Sequence, residues 1–131
     1  MSVVKSMDDF GTGLRLCELR FLAVFEDWPA CEGDCQGHHM VNKSKAKGNA
    51  LKFINKNWGV FGSDVCPVHN RDRYADTKVA QAYLLDKRIR DLGFEYVSGV
   101  WEEWKTHWKT FPPELEIEAI LHFLPQFDDY S

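Results

Sequence analysis

Long apolar runs are what this 131-residue chain most plainly lacks. None approaches the ~20 residues that a membrane helix needs, so no membrane partner is expected. The opening residues, Met-Ser-Val-Val-Lys-Ser-Met-Asp-Asp, have no apolar core of the kind a secretory signal carries, and a cytoplasmic location is expected. Internal repeats and low-complexity tracts are missing too, which excludes a repeat array. Cysteine is sparse, with four in the chain. In a cytoplasmic protein, four thiols speak for metal binding or free thiols before disulfides. Positive charge is also short: the net charge is −4, which by itself argues against a nucleic-acid partner.

The distribution of charge reverses that impression. Residues 38–90 hold 11 of the 16 Lys and Arg but only four acids, Asp64, Asp72, Asp76 and Asp86. This segment is therefore +7 and the two flanks together are −11. A basic middle between acidic ends suggests a local anion-binding face, set against the plainer reading of a lysine-rich solvated loop. The length suits a single domain over 1–131 with one hydrophobic core.

Residues 1–13 read as a loose lead-in. Over 14–26 a helix is expected, with an apolar stripe through Leu14, Cys17, Phe21, Val24 and Phe25, ended by Pro29. Cys17 lies on that stripe and reads as a core thiol rather than a ligand. Residues 30–70 have weak periodicity and many glycines, which predicts turns and short strands. So long a stretch of low periodicity needs another source of order, and a bound metal would supply it. Residues 75–92 form a strong helix with Asp76 as N-cap, an apolar face of Val79, Ala82, Tyr83, Leu85 and Ile89, and Gly93 as its stop. Phe94 to Val97 suggests a short strand. Trp101, Trp104, Trp108 and Phe111 fall at helical spacing and fit a core or a homodimer seam better than a base-stacking platform. A last helix is expected over 114–124, before an acidic tail.

Two short pairs supply four metal-ligand side chains: Cys31 and Cys35 in Cys-Glu-Gly-Asp-Cys, and Cys66 and His69 in Cys-Pro-Val-His. Two knuckles about thirty residues apart suit a closed structural Zn²⁺ site of the Cys3His type. Between them stand His38 and His39, whose side chains would point to opposite sides of a strand. Asn70 follows the second knuckle. A metal joining the two pairs would bring His38, His39 and Asn70 together. A second register remains open, in which His69 binds a catalytic ion instead.

The pattern Cys…Cys…His-His…Lys-Ser…Asn…Cys-x-x-His-Asn resembles the HNH, or ββα-metal, nuclease superfamily, and within it the phage recombination endonuclease VII-like and Ref-like members. The resemblance spans roughly residues 28–90. It implies an α+β fold in which a small ββα-metal core (28–92), stapled by structural zinc, is surrounded by α-helices, with 93–131 as an aromatic, mostly helical extension. His39 matches the general base, and His38 and Asn70 match the ligands of a catalytic Mg²⁺ or Mn²⁺. Cys31, Cys35, Cys66 and His69 match the zinc ligands. The bracing Asn could be Asn49, Asn55 or Asn57, with Asn57 favoured.

The implied activity is metal-dependent nicking of DNA by a protein encoded by a phage or mobile element and acting in the bacterial host's cytoplasm. Lys43, Lys45, Lys47, Lys52, Arg71, Arg73 and Lys78 would hold backbone phosphates. Trp58 could stack on a base, although a core role suits it better. The rival readings are a non-catalytic zinc module that binds nucleic acid or protein, and a small adaptor or inhibitor acting through the acidic, tryptophan-rich C-terminal third.

Overall fold

The computed structural model describes residues 16–42 and 45–125. The expectations for Leu14, Lys43, the lead-in and the tail beyond residue 125 fall outside them. The fold is mixed α and β, with one small sheet among the described residues. Strands β1 (Gln36–His39) and β2 (Gly62–Val65) pair antiparallel, with Gln36 opposite Val65 and His39 opposite Gly62. Alternation along β1 buries His38 and leaves His39 half-buried. All four positions of β2 are buried.

The connection between the strands was expected to be turns and short strands. It holds two helices instead, α2 (Asn49–Lys56) and α3 (Trp58–Phe61). Ala50, Phe53 and Ile54 face inward along α2 while Lys52, Asn55 and Lys56 face solvent, a helical period that the surrounding glycines mask. Gly62 accepts no side chain, because a Cβ there would fall inside the Trp58 ring. Trp58 is buried, so its core reading holds.

Helix α4 (Pro67–Arg71) follows β2 directly, with Pro67 in its first turn, where the missing N–H goes unneeded. Arg73 then adopts a left-handed backbone, φ 68°, uncommon for a residue with a Cβ. It turns the chain into a 3-10 turn over Tyr74–Asp76. Helix α5 (Lys78–Leu92) matches the expected helix, except that its N-cap is Thr77, whose hydroxyl accepts from the Ala80 N–H at 3.2 Å. Asp76 is released from capping.

Two further expectations are corrected. The first helix, α1, is only Arg20–Phe25. Its inward residues are Leu22 and Ala23, with Leu19 just ahead of it, while Phe21 and Val24 of the expected stripe are 66% and 81% exposed. The short strand at 94–97 is the first turn of α6 (Phe94–Lys105), which starts at once after Gly93. A 3-10 turn (Pro113–Leu115) and α7 (Ile117–Leu121) replace the single last helix.

Trp101 and Trp104 enter the core. Trp101 stacks on Phe61 at 5.0 Å, and both indoles donate to backbone carbonyls, Trp101 to Leu115 and Trp104 to Ala50. The C-terminal helices thus pack on the segment that carries the strands. No helix among the described residues is long and apolar enough to cross a membrane.

Candidate metal centre and adjoining cleft

A largely but not fully buried ion pair fixes the N-terminal side of the centre. The Glu18 N–H donates to the Asp64 carbonyl at 2.8 Å, and the Asp64 N–H donates back to Glu18 Oε2 at 2.7 Å. Arg88 of α5 holds the same carboxylate at 2.8 Å and donates to the Gly62 carbonyl. Burial alone would raise the Glu18 carboxyl, but Arg88, the Asp64 N–H and Lys87 outweigh it and hold it below the usual carboxylate range. This clamp sets Cys17 beside Cys66, two residues beyond Asp64.

Four donors converge there. Ligand atoms of Cys17, Cys31, Cys66 and His69 all lie within 4.8 Å of one another. His69 Nδ1 is 3.6 Å from Cys17 Sγ, 3.8 Å from Cys31 Sγ and 3.2 Å from Cys66 Sγ. Around a tetrahedral ion with bonds of about 2.3 Å to sulfur and about 2.0 Å to nitrogen, the sulfur–nitrogen edge is about 3.5 Å. The other ring nitrogen, Nε2, donates to the Pro29 carbonyl at 2.7 Å. That bond fixes the tautomer and turns the Nδ1 lone pair toward the sulfurs, the usual support for a ligating histidine. The cluster can therefore hold a metal ion.

The thiols need one if all are to ionise. Burial raises Cys17, and desolvation followed by the charge on Cys17 pushes Cys31 up to about 12. Cys66 is lowered, because the N–H groups of His69 and Glu32, with the neighbouring thiols, more than offset its own burial. A cation stabilises all three thiolates at once.

The ligand set corrects one pair of expectations. Cys17 joins the cluster, and Cys35 lies buried in the apolar core outside it. The reason is long-range. The Glu18 clamp delivers Cys17 from a distant segment, while a left-handed turn at Gly33 (φ 81°), seated against Pro67, separates Cys31 from Cys35. His69 sits in this cluster with Cys66, as the Cys3His register expected. None of the four cysteines is in a disulfide.

Beside the centre lies an open cleft of about 330 Å³ lined by Gly37, His38, His39, Asn42, Asn70 and Asp76. His38 comes from β1 and Asn70 from α4, one residue past His69. His38 Nδ1 is 3.3 Å from Asn70 Oδ1, and Asn70 Nδ2 donates to Gln36 Oε1 at 3.0 Å. Burial holds His38 below the usual imidazole value, although the Asp76 carboxylate pulls the other way. His39 Nε2 is 3.0 Å from Asn55 Oδ1, and its ring meets Trp58 edge-on at 4.9 Å.

The Asn that meets His39 is Asn55, not the favoured Asn57. Asn57 terminates α2, its side chain donating to the Phe53 carbonyl at 2.9 Å, while Asn49 opens that helix. Asp76 and Asn42 are cleft side chains that the sequence did not signal, Asp76 having been assigned to the cap. Lys45, Lys47, Lys52, Arg71, Arg73 and Lys78 are all exposed. Lys45 lies 3.8 Å from Glu114, and Lys78 sits over the Phe123 ring. Comparison of the chain with protein families, with curated proteins and with solved structures finds no match.

Proposed function

We propose that the protein is a metal-dependent endonuclease that hydrolyses DNA phosphodiester bonds, with a structural Zn²⁺ in the Cys17–Cys31–Cys66–His69 cluster. One observation carries the reading. Two antiparallel strands and the helix that follows present His38, His39 and Asn70 to a single cleft, and a Cys3His cluster ties down the same helix. Three thiols and one imidazole suit Zn²⁺ and leave no open coordination position, so that ion would assemble the site without entering the reaction.

Hydrolysis needs a base for water and stabilisation of charge on the phosphate. Facing a carbonyl oxygen, His39 Nε2 carries the proton and donates to Asn55 Oδ1, which makes Nδ1 the basic nitrogen of the ring. His39 would take a proton from water as the water oxygen bonds to phosphorus. The bond to the 3′ oxygen then breaks, and the departing oxygen takes a proton from solvent water. Trp58 and Asn55 hold the His39 ring in place. A divalent Mg²⁺ or Mn²⁺ at His38 would supply neutralisation of the phosphate and of the leaving oxygen. The exposed Lys and Arg of the basic segment suit contacts to the phosphate backbone, which predicts steep salt dependence and little base specificity.

The test is conversion of supercoiled plasmid to nicked circles by the purified full chain with Mg²⁺ or Mn²⁺. Nicking that EDTA abolishes supports the reading. DNA binding without nicking under either ion would replace it with a non-catalytic zinc module.

A further inference from the structure

We infer that the cleft ion is held by His38 Nε2 and the Asp76 carboxylate, and that Asn70 orients His38 rather than coordinating the ion. His38 is 6% exposed, and its Nε2 is buried without a hydrogen bond. A buried ring nitrogen left unpaired is costly and calls for a partner. The nearest charged group is Asp76 Oδ1 at 3.9 Å, close enough to bind one ion together with Nε2 and too far for a hydrogen bond.

The opposite side of the ring decides which nitrogen has the lone pair. Nδ1 faces Asn70 Oδ1 at 3.3 Å, and a carbonyl oxygen only accepts, so Nδ1 carries the proton. The Asn70 amide is in turn oriented by Gln36. The relay Gln36–Asn70–His38 thus leaves the lone pair on Nε2, the ring nitrogen 3.9 Å from Asp76 Oδ1, the arrangement that supports metal-binding histidines generally. With its Oδ1 engaged by His38, Asn70 is a positioning residue. Asp76 is delivered by the left-handed turn at Arg73 and is spared from capping α5 because Thr77 does that.

The chemistry of the pair follows. One imidazole and one carboxylate favour a borderline ion such as Mn²⁺ over Mg²⁺, with waters completing the shell. The inference deepens the hydrolase reading. It rests on that reading for what the ion does, while the ion's location rests on the geometry alone.

The probe is Mn²⁺, added to the full chain without DNA after the cysteine cluster has been loaded with Zn²⁺. Calorimetry should find one Mn²⁺ site, and Asp76→Asn should weaken it by at least about tenfold. Nitrogen NMR should find His38 as the Nδ1–H tautomer, with its ring signals the first histidine signals broadened by Mn²⁺. Asn70→Ala should weaken binding less than Asp76→Asn does, and should mix the His38 tautomers. Unchanged Mn²⁺ affinity in Asp76→Asn would overturn the inference, as would an Nε2–H tautomer or His38 signals untouched by Mn²⁺. Mn²⁺ binding as described in a protein that nicks no DNA would retire the nuclease reading and keep the site. Nicking with a site indifferent to Asp76 would do the reverse.

Discussion

Replacing Cys17 by serine should empty the metal centre, and replacing Cys35 should not. Cys17 Sγ is 3.6 Å from His69 Nδ1, whereas Cys35 lies in the apolar core outside the cluster. A closed zinc site contributes about 10–16 kcal/mol of apparent binding free energy. A variant that no longer holds the ion forfeits that contribution. That is a large part of the roughly 5–15 kcal/mol that keeps a domain folded. The Cys17→Ser protein should purify with little metal, melt far below wild type, and hardly respond to EDTA. Cys35→Ser exchanges a buried thiol for a hydroxyl and should cost about 1–3 kcal/mol while keeping one metal per chain. Metal content by mass spectrometry, with thermal melts before and after chelation, reads both outcomes. A Cys17→Ser protein with full metal beside a metal-free Cys35→Ser protein would refute the assignment and restore the ligand set expected from spacing alone.

Other predictions rest on separate contacts. Glu18→Gln leaves Arg88 without its partly buried partner and should lower stability by about 1–3 kcal/mol at neutral pH, measured by urea unfolding. Because the folded Glu18 carboxyl titrates below its ordinary 4.5, the deficit is complete above that value and disappears as pH falls through the folded value. A deficit independent of pH would show that the charge is not its source. Thr77→Ala should cost about 1 kcal/mol through the lost cap of α5, whereas Asp76→Ala should leave the melting temperature nearly unchanged; equal losses would contradict the cap assignment. Gly62→Ala should cost at least about 1–3 kcal/mol by displacing Trp58, and a wild-type melting curve would show that the ring yields freely.

Local patterns in the sequence were enough for some elements. The apolar spacing of Val79, Ala82, Leu85 and Ile89 identified α5, and the Trp101 and Trp104 spacing identified an inward helix face. The Cys66-x-x-His69-Asn70 run located both the centre and the cleft, because those residues share one helix and its N-cap. What failed depended on contacts distant in sequence. Cys17 looked like a core thiol because nothing near it signals metal; its role comes from Glu18 bonding to β2 and to Arg88, 70 residues away. The outward turn of Phe21 and Val24 has the same origin, since that clamp and Leu19 set which side of α1 faces in. Asp76 and Thr77 are adjacent and both can cap, so only the left-handed turn at Arg73 decides between them. Asn55 and Asn57 differ by two positions on a helical segment, which sends their side chains to different sides, and no local signal says which side meets His39.

The proposed role of His39 is to activate water for phosphodiester hydrolysis in the cleft beside the Cys17–Cys31–Cys66–His69 cluster. Single-turnover nicking of supercoiled plasmid by metal-loaded wild type and His39→Ala, in the presence of Mn²⁺, tests it most directly. His39→Ala should nick about 10²–10⁴-fold more slowly than wild type, with cluster metal content and melting temperature retained. Nicking by His39→Ala at the wild-type rate would contradict it.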